Sequence, residues 1–185
     1  LMKINDDTVG WIRFYKEPSQ INYPVVQGED NDLYLHKTFS ANENTLGAIF
    51  VDAAASSDFT DKNTIIYGHR MKDGSMFRKL EEYKDKDFWK ENPYFYIYTP
   101  DGKEITYKIY SVGQVLDTSD TYLTSFAGEE DYQKFLDMTM KEADYDTGVK
   151  VTTDDTIVTL STCTAASDEH RFVVRGVKEK EVELQ

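Results

Sequence analysis

Short runs in which apolar and polar residues alternate recur along this chain, and that period of two constrains the fold more than any other feature. In Glu104-Ile105-Thr106-Tyr107-Lys108-Ile109-Tyr110, the residues Ile105, Tyr107 and Ile109 fall on one side of an extended strand. Tyr94-Phe95-Tyr96-Ile97-Tyr98 just before it reads as a second strand. Between them Thr99-Pro100-Asp101-Gly102 supplies a turn, because proline pre-sets φ and glycine accepts a positive one. These two runs therefore form a hairpin. Further short strands are expected at 23–26, 47–51, 64–67, 156–162 and 172–177, and so many short strands point to a sandwich or a barrel.

Helical spacing is confined to two places. Over 129–143, Tyr132, Phe135, Leu136, Met140 and Ala143 share one face, and Glu129, Glu130 and Asp131 suit the positive end of the helix dipole. A shorter helix is expected after Ser75 as N-cap, with Met76, Phe77, Leu80 and Tyr83 turned inward. The segment 7–15, with Trp11, Ile12, Phe14 and Tyr15, suits a helix end or a strand entry equally well. No repeat, low-complexity segment or linker interrupts the chain. The expectation is one domain over 1–185 of mixed α and β structure, mostly β (α+β).

The composition narrows the function. Of 185 residues 39% are hydrophobic and 14% aromatic, enough to build a folded interior. Asp and Glu number 34 against 21 Lys and Arg, a formal charge of −13 that repels phosphate backbones and anionic headgroups, so no nucleic-acid partner is expected. The apolar run Ala48-Ile49-Phe50-Val51 is cut short by Asp52, whereas a bilayer span needs about 20 consecutive apolar residues. The residues from Leu1 to Asn5 carry no signal-peptide core, so any targeting segment is absent or trimmed. A single cysteine, Cys163, excludes an internal disulfide and a multi-cysteine zinc site, and no metal or other cofactor is expected.

A thiol does chemistry only when something activates it. Cys163 ends the run Thr156-Ile157-Val158-Thr159-Leu160-Ser161-Thr162-Cys163, whose alternation places Val158 and Leu160 on one face and Thr159, Ser161 and Cys163 on the other. A buried structural cysteine and a reactive one are about equally compatible with this pattern. Beyond a polar loop, the strand from Arg171 can pair antiparallel with the first, setting Cys163 and Arg171 across the loop mouth. Arg175 lies on the same side, but four strand residues span roughly 13 Å, so only Arg171 reaches the thiol. Arg171 also suits a rim ion pair with Asp168 or Glu169. Of three histidines, His36 suits exposure on a short amphipathic stretch and His170 a solvated place beside Arg171. His69 ends a strand-like run after a glycine, where site residues are often delivered.

Together, Thr159-Leu160-Ser161-Thr162-Cys163, the later Arg171, Ile66-Tyr67-Gly68-His69, Asn5-Asp6-Asp7-Thr8-Val9-Gly10-Trp11-Ile12 and Gly47-Ala48-Ile49-Phe50-Val51-Asp52 resemble the sortases, most closely class B. The similarity runs in order over nearly the whole chain, and the helix at 129–143 resembles the insertion that separates class B from class A. The resemblance implies a closed β-barrel of about eight strands, with an N-terminal helix and a long helix before the cysteine-bearing strand. It implies Cys163 as nucleophile, His69 as proton donor and acceptor, and Arg171 as the cation that holds the substrate carbonyl and its oxyanion. By the same resemblance Ser161 and Tyr67 line the groove for a bound signal, and Thr118, Tyr122 and Leu123 form the wall that receives it. No Asn or Asp is evidently placed to orient the His69 ring.

The implied activity is that of a cysteine transpeptidase. It cleaves a C-terminal sorting signal of NPxT(N/G) type after the threonine through a thioester and hands the protein to a peptidoglycan amine. A pilin-type polymerase or a hydrolytic thiol peptidase would use the same site, and an inert β-barrel binding module is the reading from another class. The implied partners are signal-bearing surface proteins and a peptidoglycan precursor. The implied location is the extracellular face of the cytoplasmic membrane, held by an N-terminal anchor that this chain lacks. The loop between Cys163 and Arg171 holds seven residues, and contacts of that loop do not transfer from the family.

Overall fold

The computed structural model describes residues 4–40, 47–163 and 169–185. In chain order the strands are β1 (Thr8–Arg13), β2 (Asn22–Val26), β3 (Ile49–Val51), β4 (Asn63–His69), β5 (Tyr94–Tyr98), β6 (Lys103–Leu116), β7 (Ile157–Cys163) and β8 (His170–Glu183). The helices are α1 (Leu33–His36), α2 (Lys86–Glu91) and α3 (Glu129–Lys141), with 3₁₀ turns at Arg78–Lys84 and Asp120–Tyr122. The strands close into a barrel in the order β1-β2-β3-β4-β7-β8-β6-β5, so no sheet edge is left open along the ring.

Alternation decides which side chains fill the barrel. Ile66 on β4, Val158 and Leu160 on β7, and Phe172 and Val174 on β8 point inward to join Ile12, Phe95, Ile97 and Phe77. The hairpin of β5 and β6 forms as the pattern requires, with Gly102 at φ +87 in its turn. The segment at 7–15 resolves as strand β1, paired with both β2 and β5. The N-terminal helix does not occur among the described residues, since 4–7 form turns ahead of β1.

Two helical expectations need correction in detail. The helix after Ser75 is a 3₁₀ turn beginning at Arg78, because Met76 adopts φ +58 and the Asp73 carboxylate takes the Ser75 backbone N–H at 2.9 Å. Met76, Phe77, Leu80 and Tyr83 are nevertheless buried. In α3 the inward row is Tyr132, Phe135, Leu136 and Thr139, while Met140 is exposed. Thr139 takes the inward place because its hydroxyl has partners there, Leu136 O at 2.7 Å and the Tyr110 hydroxyl at 3.0 Å. That row packs α3 on the outside of the barrel against Tyr110, Ile157 and Val177.

Candidate active site

Most of the candidate residues gather around the outer face of β4 and β7. These strands run parallel in continuous register from Asn63↔Ile157 to His69↔Cys163. Neighbouring strands are about 4.8 Å apart, so the last pair brings His69 and Cys163 side by side although 94 positions separate them (163 − 69). Parallel pairing also keeps Asn63, Ile65, Tyr67 and His69 on the same face as Thr159 and Ser161.

His69 is 4% exposed, and its Nε2 lies 2.7 Å from the backbone oxygen of Leu35. A carbonyl only accepts, so Nε2 carries the proton in this contact and Nδ1 is the nitrogen left to exchange one when the ring is neutral. Leu35 belongs to α1, a single turn between β2 and β3, and its carbonyl does what a triad carboxylate does elsewhere: it fixes the ring's orientation. Gly47 packs on the same ring. A Cβ there would stand 2.6 Å from His69 Cδ2 and 2.7 Å from Tyr34 O, and its φ of +66 suits glycine alone.

Arg171 enters from β8. The β7–β8 ladder ends at Ser161↔Val173. One step further the Thr162 hydroxyl takes over, accepting from Phe172 N at 3.0 Å and donating to Phe172 O at 3.3 Å. A side chain thus ties the two strands between Cys163 and Arg171. The Arg171 Nη1 donates to His170 O at 2.9 Å, its Nη2 lies 4.0 Å from the Asp117 carboxylate, and its side chain is 16% exposed. Beside it opens a cavity of about 170 Å³ lined by Arg70, Glu81, Lys84, Gln114, Thr162 and Arg171, a cationic spot on an acidic chain. The expected rim partner Asp168 lies outside the described residues, which omit 164–168. His36 and His170 are exposed, as their sequence contexts suggest.

The segment after β6 packs on the outer face of β4 and β7 through Tyr122. Its hydroxyl bonds the Ser161 hydroxyl at 2.7 Å, and its ring stacks on Tyr67 with centroids 6.2 Å apart. Tyr67 in turn donates to the Asp52 carboxylate at 2.8 Å and packs on Phe50. Leu123 is 45% exposed at the rim, and Thr118 is exposed in the turn after β6. Thr159 and Ser161, on the face opposite Val158 and Leu160 as the alternation predicts, are fully buried. Tyr122 supplies the polar partner of Ser161, and Asn63 on β4 that of Thr159, whose hydroxyl donates to Asn63 Oδ1 at 2.7 Å.

Sequence reasoning missed Leu35, Gly47, Asp52 and Asn63. A backbone carbonyl leaves no sequence signal, but an asparagine opening an apolar strand, as Asn63 does, is a visible one. Arg175, set aside in the sequence as out of reach, is wholly buried among Ser111, Thr121 and Glu142. Burial lowers the proton affinity of its guanidinium from the ordinary arginine range, with Tyr110 and Glu142 acting the other way.

Comparison with known proteins places this geometry. A family model of the sortase domain matches residues 17–179. Sortase B of Listeria monocytogenes is 39% identical over 180 residues, covering 95% of this chain and 71% of that protein. Sortase B of Staphylococcus aureus is 37% identical over 170 residues, covering 91% of this chain and 68% of that one. Among solved structures, a complex of Staphylococcus aureus sortase B with substrate superposes with a TM-score of 0.90 at 32% identity, covering 100% of this chain and 83% of that one. Sortase B of Clostridium perfringens gives 0.88 at 34% identity, covering 97% of each chain. Barrel, relatives and family match agree, and the chain belongs to the sortase family, as a cysteine transpeptidase of class B type.

Proposed function

We propose that this sortase cleaves the C-terminal sorting signal of a surface protein after its threonine, in an NPxT(N/G)-like motif, and joins the freed carbonyl to a peptidoglycan amine. The observation that carries the reading is the register pair His69↔Cys163 closing the parallel ladder of β4 and β7. In the first half-reaction the Cys163 sulfur attacks the threonine carbonyl carbon. The C–N bond breaks as His69 gives a proton to the leaving amine, and a thioester remains. In the second half-reaction the acceptor amine attacks the thioester, His69 takes its proton, and the thiol leaves. Amide-bond energy is kept in the thioester, so the cycle balances without a nucleotide or a metal.

Arg171 supplies the cation for the oxygen that becomes negative in both half-reactions, a role typically worth about 3–4 kcal/mol per oxyanion donor. Tyr67, Thr118, Tyr122 and Leu123 receive the signal, with the buried Ser161 beneath them as the hydrogen-bond partner of Tyr122: an aromatic and apolar wall with a few hydroxyls suits an extended peptide bent by proline. The family acts on surface proteins that bear sorting signals and is associated with the cell surface. We place this member at the extracellular face of the cytoplasmic membrane. Among the described residues no helix is long and apolar enough to cross a membrane.

The test is incubation with NPxT-type pentapeptides, with and without diaminopimelate- or glycine-type amines, followed by mass analysis. Amine-dependent ligation after the threonine supports transpeptidation. Hydrolysis indifferent to every amine would favour a thiol peptidase, transfer to a pilin lysine a polymerase, and no cleavage would reject the reading.

A further inference from the structure

The segment that carries Tyr122 and Leu123 is not a strand of the barrel; its regular structure is only the 3₁₀ turn Asp120–Tyr122. A recognition wall must hold its side chains to a fraction of an ångström, and a single turn of this kind does not do so alone. Two buried polar groups beneath it supply the hold.

The first is Arg175 on β8, which is fully buried. Its Nη2 donates to Thr121 Oγ1 at 2.6 Å and to Glu142 Oε1 at 2.5 Å, and its Nη1 to Ser111 Oγ at 2.8 Å. Glu142 is the residue just past the end of α3 and also accepts from Thr121 Oγ1 at 3.3 Å. One guanidinium therefore joins β8, β6, the wall and the end of the class-distinguishing helix. The second is Asn63 at the start of β4, also fully buried. Its Nδ2 donates to the carbonyls of Thr121 and Leu123, at 3.1 and 2.7 Å, the two that flank Tyr122. Thr121 is thereby turned inward, and the next side chain, Tyr122, is delivered to Ser161.

We propose that Arg175, Glu142 and Asn63 are positioning residues that set the substrate-recognition wall of this enzyme, with Arg175 as the buried cation that locks Tyr122 and Leu123 in the signal-binding geometry. A buried charge is a poor way to gain stability, since desolvation offsets much of the attraction and an apolar replacement is often tolerated. Its use here is geometric: the planar fork has fixed donor directions, which lysine or methionine cannot reproduce. The Arg175 Nε has no partner among the described residues, so the side chain is held by its terminal nitrogens alone, those facing the wall and Ser111. The inference rests on the reading of Tyr122 and Leu123 as signal contacts.

The experiment measures KM and kcat for a fluorogenic NPxT-type peptide, the rate of Cys163 alkylation by iodoacetamide, and the melting temperature. It compares the wild type with Arg175→Met, Arg175→Lys, Glu142→Gln and Leu123→Ala. Glu142 is 31% exposed and glutamine keeps its size and its acceptor oxygen, so Glu142→Gln is the milder variant, and the melting temperature identifies which variants fold. Loss of the lock should raise KM about tenfold in Arg175→Met and about threefold in Glu142→Gln, with alkylation within about twofold of wild type. Arg175→Lys should fall between Arg175→Met and wild type. If Leu123→Ala raises KM but Glu142→Gln and every folded Arg175 variant leave it unchanged, or lower kcat, alkylation and melting temperature together, the positioning role is overturned. If Leu123→Ala itself leaves KM unchanged, the reading of the wall fails, and this inference with it.

Discussion

His69 and Cys163 are the final partners of the parallel ladder between β4 and β7, and the seven-pair register that begins at Asn63↔Ile157 sets their separation. Parallel pairing makes this juxtaposition robust. Both strands are cross-connected through distant parts of the chain, and a slip of one residue would turn the buried Ile66, Val158 and Leu160 to the wrong face. The catalytic pairing is thus held by the same hydrophobic pattern that closes the barrel.

The Leu35 carbonyl and Gly47 fix the His69 ring from one side. Gly47→Ala would drive a Cβ to 2.6 Å from His69 Cδ2 at a backbone φ of +66. We expect a stability loss of about 1–2 kcal/mol and a fall in kcat/KM of at least about tenfold. Urea titration and peptide-cleavage kinetics measure the two effects separately. A stable variant with unchanged kcat would show that the ring does not need this fit.

The hydrogen bond of 2.7 Å between Tyr122 and Ser161 joins wall to floor of the groove. Tyr122→Phe and Ser161→Ala should each raise KM several-fold, and the double variant should cost less than their sum. A coupling energy of about 0.5–1.5 kcal/mol is expected from a double-mutant cycle on kcat/KM, and strict additivity would mean that the bond is absent in solution.

Alkaline pH should weaken the fold through its buried phenols. Burial raises the Tyr110 phenol from 10.0 to about 12, against the lowering effects of Arg175 and Thr139. Burial likewise pushes up Tyr83, Tyr107 and Tyr132. Each stays protonated in the fold at a pH where the unfolded chain has released its proton, so the unfolded state is favoured as pH rises. For Tyr110 this stabilisation is complete below about pH 10 and is lost on rising through about 12. Urea midpoints between pH 8 and 12 (chosen to bracket that range), followed with tyrosinate absorbance, should fall over this window. Flat midpoints would show that these phenols titrate as free ones.

Individual strands were legible where apolar and polar residues alternate: β6 and β7 follow the pattern in the sequence, and the inward residues of β7 are the ones that the alternation selects, whereas closure into a barrel came from the family resemblance. β8 was not legible beyond Val177. From Lys178 to Glu183 it runs as an exposed ribbon against β6, where pairing comes from backbone hydrogen bonds and no apolar face marks it. Within the site, Cys163, His69 and Arg171 stood out through motif. Leu35 could not, because its contribution is a carbonyl. Arg175 announced itself only as a charge inside Phe172-Val173-Val174-Arg175-Gly176-Val177, and its partners Thr121, from a segment with no recognisable period, and Glu142, at the end of the helical run 129–143, are brought to it only by the tertiary fold. The burial of the polar face of Thr159 and Ser161 was not legible: what covers it is an irregular segment, and only tertiary structure reveals the cover.

The central claim is that Cys163 and His69 act as one unit across the β4–β7 ladder. Intact-mass spectrometry after brief mixing with an NPxT-type peptide, without acceptor, tests it most directly. The account predicts a thioester adduct on wild-type Cys163, none on Cys163→Ala, and a rate of adduct formation at least about a hundredfold slower in a folded His69→Ala variant. Adduct forming on His69→Ala at the wild-type rate, or acylation at a residue other than Cys163, would contradict it.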